Sequence, residues 1–254
     1  MTKQIPNLFT LLNLLSGCVA IIFVLQTGET LVAQSDGTLV PQLPEKIWWG
    51  SIFIGIAAIV DFLDGFIARL FNATSDMGKQ LDSLADVVSF GVAPGIILYQ
   101  LLRISFIQEE NGIDVTMWAL FPALLFPAAA AWRLARFNID NNTSGDFRGV
   151  PSPAAGLVVA SLPLILFYNY YNIVAILINK WVLYAIILLL SYLMVSKAGF
   201  ISLKFTKSSS ANNVPKIILV ILAVIAAIFL KWLAVPVVFL VYVILSLTTK
   251  KQTK

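Results

Sequence analysis

The 254-residue chain contains no histidine. That absence removes the commonest general base, the commonest transition-metal ligand and any phosphohistidine intermediate, so catalysis here must run on carboxylates, hydroxyls, lysine or arginine. There is one cysteine, Cys18, which excludes a disulfide within the chain and, from its place inside the first apolar run, reads as a small buried hydrophobe. Charge is scarce too, at 12% of residues. The basic residues fall between apolar runs rather than along one stripe, so nucleic acid is not an expected partner despite a net charge of +4. What is abundant is apolar. At 59% hydrophobic, the chain carries more apolar surface than a soluble core of this size can hide, and it belongs in a membrane.

A helix needs about 20 apolar residues to cross a bilayer. Eight runs approach that length: 8–24, 48–70, 82–102, 118–137, 153–168, 181–195, and two more within 215–249, divided near Lys231-Trp232. The first reads as a span rather than a cleaved leader, because only Lys3 precedes it and no small-x-small cleavage site follows. The expected fold is therefore all-α, a polytopic transmembrane bundle of about eight spans. Short loops rich in Lys and Arg stay cytoplasmic. With both termini inside, thirteen of the seventeen basic residues are cytoplasmic, leaving Lys46, Arg103, Lys180 and Lys231 outside. The Ser- and Asn-rich segment Lys204 to Asn213 reads as a cytoplasmic loop. Residues 1–196 form the expected catalytic unit of six spans, and 197–254 the loop with two C-terminal spans that carry no motif.

Two segments concentrate carboxylates. Asp61-Phe62-Leu63-Asp64-Gly65-Phe66-Ile67-Ala68-Arg69 closes the second span, and Gly78-x-x-x-Asp82-x-x-x-Asp86 opens the third. Residues three or four apart share a helix face, so Asp61, Asp64, Gly65 and Ala68 lie together, as do Gly78, Asp82, Ala85, Asp86 and Ser89. Each carboxylate face is also a small-residue face, which admits a second helix or a ligand at close range. Four carboxylates converging at a membrane edge repel one another and resist desolvation. Arg69 alone cannot neutralise them, but two divalent cations can, and an all-oxygen donor set without Cys or His points to Mg2+ or Mn2+. Two such ions roughly 3.5–4 Å apart suit the clamping of a phosphoryl group, so the cluster predicts phosphoryl chemistry. A carboxylate-based ion transporter is the rival reading, although its carboxylates are expected nearer the midplane, in broken helices.

The pattern from Asp61 through Asp86, with Asp64, Gly65, Ala68, Arg69, Gly78 and Asp82 at their fixed spacings, resembles the signature of the CDP-alcohol phosphotransferases, with no motif position substituted. Asn7-x-x-Thr10-x-x-Asn13, Ser89-Phe90-Gly91-Val92-Ala93-Pro94, Arg133-Leu134-Ala135-Arg136-Phe137-Asn138 and Phe147-x-Gly149-Val150-Pro151-x-Pro153 are similar to the phosphatidylserine synthase branch, so the resemblance covers roughly residues 5–160. It implies transfer of a phosphatidyl group from CDP-diacylglycerol to an alcohol, with release of CMP. It implies Asp61, Asp64 and Asp82 as metal ligands, with Asp86 completing the second metal site and acting as base on the incoming hydroxyl. Gly65, Ala68, Arg69 and Gly78 are implied to line the CDP pocket. Arg69 also suits a diphosphate on its own chemistry, through its fork of donors. Asn7, Thr10 and Asn13, on one face of the first helix at the level of the aspartates, are candidates to bond the nucleotide, with capping of an incoming helix as the alternative.

The shared signature does not separate serine from glycerol 3-phosphate, inositol phosphate or choline-type acceptors. Serine is favoured by the Ser89–Pro94 run and by the arginine-rich end of the fourth span, whereas the glycerol-phosphate branch resembles an Ala-Asp-Lys ending where Val87 follows Asp86 here. On the serine reading, Arg133, Arg136, Asn138 and Arg148 are candidates to hold the substrate carboxylate or the lipid phosphate. The phospholipase D-related type of phosphatidylserine synthase needs catalytic histidines and is excluded. A homodimer in the membrane is expected from the resemblance alone.

Overall fold

The structure, a computed structural model, describes residues 5–26, 30–33, 39–42, 46–70, 75–108, 115–139, 147–200 and 214–249. Helices occupy all eight of the apolar runs. They are α1 (Ile5–Leu25), α2 (Ile47–Leu70), the rod α3 (Asp76–Asp86) and α4 (Ala93–Ile107) joined by a π-helical turn at Val87–Val92, the short α5 (Met117–Leu120) continuing through a 3-10 turn into α6 (Leu125–Ile139), α7 (Ser152–Tyr168), the one-turn α8 (Val174–Leu177), α9 (Lys180–Val195), α10 (Val214–Leu230) and α11 (Ala234–Thr249). Among the described residues, five stretches are long and apolar enough to cross a membrane: Pro6–Leu25, Ile47–Leu70, Asp76–Ile107, Met117–Ile139 and Ile217–Thr248. The last is broken where the sequence divided it, by a 3-10 turn at Lys231–Leu233 that begins with Lys231 at φ 49°.

Two short antiparallel ladders, β1 (Thr30–Ala33) with β2 (Leu39–Gln42) and β3 (Phe147–Arg148) with β4 (Gly199–Phe200), sit in the connections and leave the architecture all-α. The segment Lys204 to Asn213 lies outside the described residues.

Small residues set the close approaches. α1 buries Thr10, Asn13, Gly17, Ala20 and Val24, a stripe at helical spacing that faces α2 and the α3–α4 rod. Gly50 of α2 sits on the carbonyl of Ala20, where an added Cβ would come within 3.1 Å of that oxygen, so α1 and α2 cross with their backbones nearly touching. Pro6 falls in the first turn of α1, where its missing N–H costs nothing.

The third rod begins a turn and a half before the apolar run suggested. Ser75 caps it, its hydroxyl accepting from the N–H of Gly78 at 3.0 Å, and Asp76 complements the helix dipole in the first turn. The aspartates of this rod therefore stand well inside a capped helix. The π turn that follows Asp86 buries Ser89, Phe90 and Gly91. Ser89 donates to the carbonyl of Asn13 at 2.9 Å, Gly91 faces Ala130 and Pro127 of α6, and Gly156 of α7 lies on the backbone of Phe90. One turn thus meets three neighbouring helices. The buried core continues from it through Ile97, Leu98, Leu101, Phe126, Leu183 and Ile187.

α11 packs on α7 and on β4, with Tyr242 stacked on Phe200 at 6.0 Å between ring centres. Cys18 departs from its sequence reading. Its side chain faces outward from α1, because the inward stripe of that helix is taken by Asn13, Gly17 and Ala20.

Candidate active site

α2 carries Asp61 and Asp64 in its last turns, and α3 carries Gly78, Asp82 and Asp86 in its first three. Both helices pack on α1. One carboxylate oxygen from each of Asp61, Asp82 and Asp86 lies within 4.8 Å of the other two. Asp86 is the most enclosed of the three, at 7% exposure. Like charges this close and this poorly hydrated need a countercharge held between them. All three donors are hard oxygens, the chemistry of Mg2+ and Mn2+ rather than of zinc or copper. The residues present fit a divalent cation.

Asp64 stands slightly apart from this trio. Its carboxylate accepts a hydrogen bond from the hydroxyl of Thr10, which also reaches the carbonyl of Pro6 at 3.2 Å. The next polar residue on the same face of α1, Asn13, donates through Nδ2 to Oδ1 of Asp86 at 3.3 Å. The Thr10 and Asn13 pair therefore grips one carboxylate from each of the two aspartate helices. Thr10, read from sequence as a nucleotide contact, touches an aspartate, and its spacing from Asn13 was the signal that both face the cluster.

Beside the aspartates opens a cleft of about 640 Å³, lined by Asn7, Thr10, Asp61, Asp64, Gly65, Ala68, Arg69, Gly78 and Asp82 among others. Asn7 and Gly78 approach closely enough that a Cβ at Gly78 would sit 3.0 Å from the Asn7 amide oxygen. Nothing lies within 4 Å of where a Cβ of Gly65 would point, so that glycine leaves open room on the cleft wall. Arg69 donates through Nε to the carbonyl of Gly65 at 2.8 Å, which anchors the stem of its guanidinium at the rim. Ser75, Asp76 and Lys79 also line the cleft. Sequence reasoning assigned none of these three to the site. Lys79 had only its place beside Gly78 to recommend it.

The four acceptor-side candidates separate. Arg133 is buried, bonded through Nη1 to Ser152 Oγ at 3.0 Å, and close enough to Asp86 for the two charges to act on each other. Arg136 donates to the carbonyl of Val195 at 2.8 Å and so caps the C-terminus of α9. Asn138 donates to Ser83 Oγ at 2.8 Å, tying α6 to α3. Arg148 is in β3, and its side chain lies outside the described residues.

Residues 3–192 match the family model described as CDP-alcohol phosphatidyltransferase. The chain is 36% identical over 204 residues to a CDP-diacylglycerol–serine O-phosphatidyltransferase of Helicobacter pylori, covering 80% of this chain and 73% of that one. It is 36% identical over 151 residues to the Bacillus subtilis protein of the same description, covering 59% of this chain and 72% of the relative. A Methanocaldococcus jannaschii protein of that description is 42% identical over 127 residues, half of this chain and 56% of its own length.

Proposed function

The chain belongs to the CDP-alcohol phosphatidyltransferase family, and from that premise we propose that it transfers the phosphatidyl group of CDP-diacylglycerol to the hydroxyl of L-serine, giving phosphatidylserine and CMP. The observation that carries this reading is the convergence of Asp61, Asp82 and Asp86 at the edge of a cleft lined by the remaining signature residues. The names of the relatives favour serine over glycerol 3-phosphate or inositol phosphate as acceptor.

Asp61, Asp64, Asp82 and Asp86 are the side chains to hold the two divalent ions, Mg2+ or Mn2+, which when bound lower the energy of charge developing on phosphoryl oxygens. The cytidine diphosphate occupies the cleft. Gly65, Ala68 and Gly78 let the nucleotide approach the helix backbones, Arg69 offers its remaining N–H groups to the diphosphate, and Asn7 bonds the nucleotide from α1. Asp86, held by Asn13, accepts the proton of the serine hydroxyl as its oxygen attacks the lipid-bearing phosphorus. The bond from that phosphorus to the CMP oxygen breaks and CMP leaves. Arg133, whose charge acts on Asp86, takes the acceptor carboxylate, whereas Arg136 and Asn138 act on the helices they tie together. The reading also includes a cytoplasmic active site, a homodimer, and the division into a catalytic unit of residues 1–196 and a C-terminal pair of helices.

The test is an acceptor panel. Purified protein is given CDP-diacylglycerol, Mg2+ or Mn2+, and serine, glycerol 3-phosphate or inositol phosphate, and CMP release is followed. Serine should be the fastest acceptor. Faster release with glycerol 3-phosphate or inositol phosphate moves the chain to another branch, and ion uptake without CMP release makes it a transporter.

A further inference from the structure

Buried polar groups in proteins nearly always have a hydrogen-bond partner, so those that lack one ask for an explanation. Among the described residues, the buried side-chain atoms without a partner are Asn13 Oδ1, Ser51 Oγ, Arg133 Nε and Ser191 Oγ. Two of these four belong to residues that act on Asp86, Asn13 through a hydrogen bond and Arg133 through its charge. Asn13 is 1% exposed and spends its Nδ2 on the Asp86 carboxylate, which leaves its carbonyl oxygen as an acceptor with nothing donating to it. Arg133 is 7% exposed and spends Nη1 on Ser152, which leaves a charged N–H donor with no acceptor. The amide orientation of Asn13 follows from Asp86, since the reverse flip would set two oxygens against each other.

An orphaned acceptor and an orphaned cationic donor, on two residues that both act on one carboxylate base, make a complement to a zwitterion. We infer that Asn13 and Arg133 form the acceptor subsite, Asn13 Oδ1 receiving the ammonium of L-serine and Arg133 Nε–H its carboxylate, with the hydroxyl between them on Asp86. The inference rests on serine being the acceptor and deepens that reading by naming what recognises it. It gives Asn13 two tasks, orienting Asp86 with one end of the amide and binding substrate with the other. An anionic acceptor such as glycerol 3-phosphate has no ammonium to satisfy Oδ1, so the same pair discriminates against it.

Serine analogues that lack one end test this directly. 3-Hydroxypropanoate keeps the hydroxyl and carboxylate without the ammonium, and ethanolamine keeps the hydroxyl and ammonium without the carboxylate. As competitors of serine on the wild-type protein, both should bind at least tenfold more weakly than serine itself. In Asn13→Leu, the ratio of the KM for serine to the Ki of 3-hydroxypropanoate should rise tenfold or more, whatever turnover remains. If Asn13→Leu weakens serine and 3-hydroxypropanoate equally, Asn13 only orients Asp86 and the inference is overturned. If Asn13→Leu does not accumulate as folded protein, the wild-type comparison decides: 3-hydroxypropanoate binding as tightly as serine overturns the inference. A wild-type protein that releases CMP with glycerol 3-phosphate and not with serine refutes the proposed function instead.

Discussion

Asp82 belongs to the carboxylate trio and lines the cleft. Asp82→Asn removes one charge while keeping shape and hydrogen-bonding capacity, so it tests the countercharge argument without a cavity. CMP release should fall by at least a hundredfold while the helical circular dichroism of the purified protein stays as in wild type. A variant with near-normal turnover refutes the metal-site assignment. Chelation should act on the same feature: EDTA should abolish release, and Mg2+ or Mn2+ in excess should restore it, whereas monovalent salt should not. At this scale the sequence was most informative where side chains act through charge. The four aspartates, Arg69 and the two glycines could be placed from spacing alone, because 3.6-residue periodicity fixes which side chains share a face. It was least informative where a polar group is spent on backbone. The Arg133-Leu134-Ala135-Arg136 run sets Arg133 a turn deeper than Arg136, but nothing in it shows that Arg136 caps α9, since the carbonyl of Val195 comes from a segment 59 residues away.

The spanning helices were legible as elements because they are long apolar runs, and even the break at Lys231 showed as a charge inside one. The start of α3 was not, because its first turns are polar, with Asp76, Gly78, Lys79 and Gln80 outside any apolar window. Its N-cap at Ser75, rather than hydrophobicity, decides where it begins. The π turn at Val87–Val92 was equally hidden: Ser89 through Pro94 could be read only as a similarity, and the structure gives it a mechanical meaning as the joint where α1, α6 and α7 all meet the aspartate helix. That joint predicts the effect of filling it. In Gly156→Ala the new Cβ would stand 3.0 Å from the carbonyl oxygen of Phe90 and 3.1 Å from its Cα, both backbone atoms that cannot swing aside. The substitution should cost about 1–3 kcal/mol of stability. A thermal aggregation midpoint several degrees below wild type in the same detergent is the expected result, and an unchanged midpoint argues against this packing.

For the molecule as a whole, the proposal that the cleft faces the cytoplasm can be measured through two exposed methionines. Met77, in the first turn of α3 beside the cleft, and Met117, at the start of α5 at the far end of the bundle, are 72% and 67% exposed. In a Cys18→Ser background, a membrane-impermeant maleimide added to intact cells should label Met117→Cys and spare Met77→Cys until the membrane is opened. Labelling of the opposite pattern inverts the topology. Composition and charge bias are what carry this proposed arrangement. How the C-terminal helices join the rest was not legible, because α11 meets β4 through Tyr242 and Phe200, residues that carry no motif.

The wide turn after Asp86 has a consequence for how this chain tolerates change in length. Each residue added to or removed from an α-helix rotates everything beyond it by about 100°, and a π turn holds one residue more than the α-helical path it replaces. Deleting one residue within Val87–Val92 would let the rod close into uninterrupted α-helix with Gly95 still on Pro127 and every aspartate in place, whereas a deletion further along α4 would turn the residues beyond it off their partners. Spacing upstream of this turn is therefore dictated by chemistry and spacing downstream by packing, and the turn is the seam that keeps the two in phase.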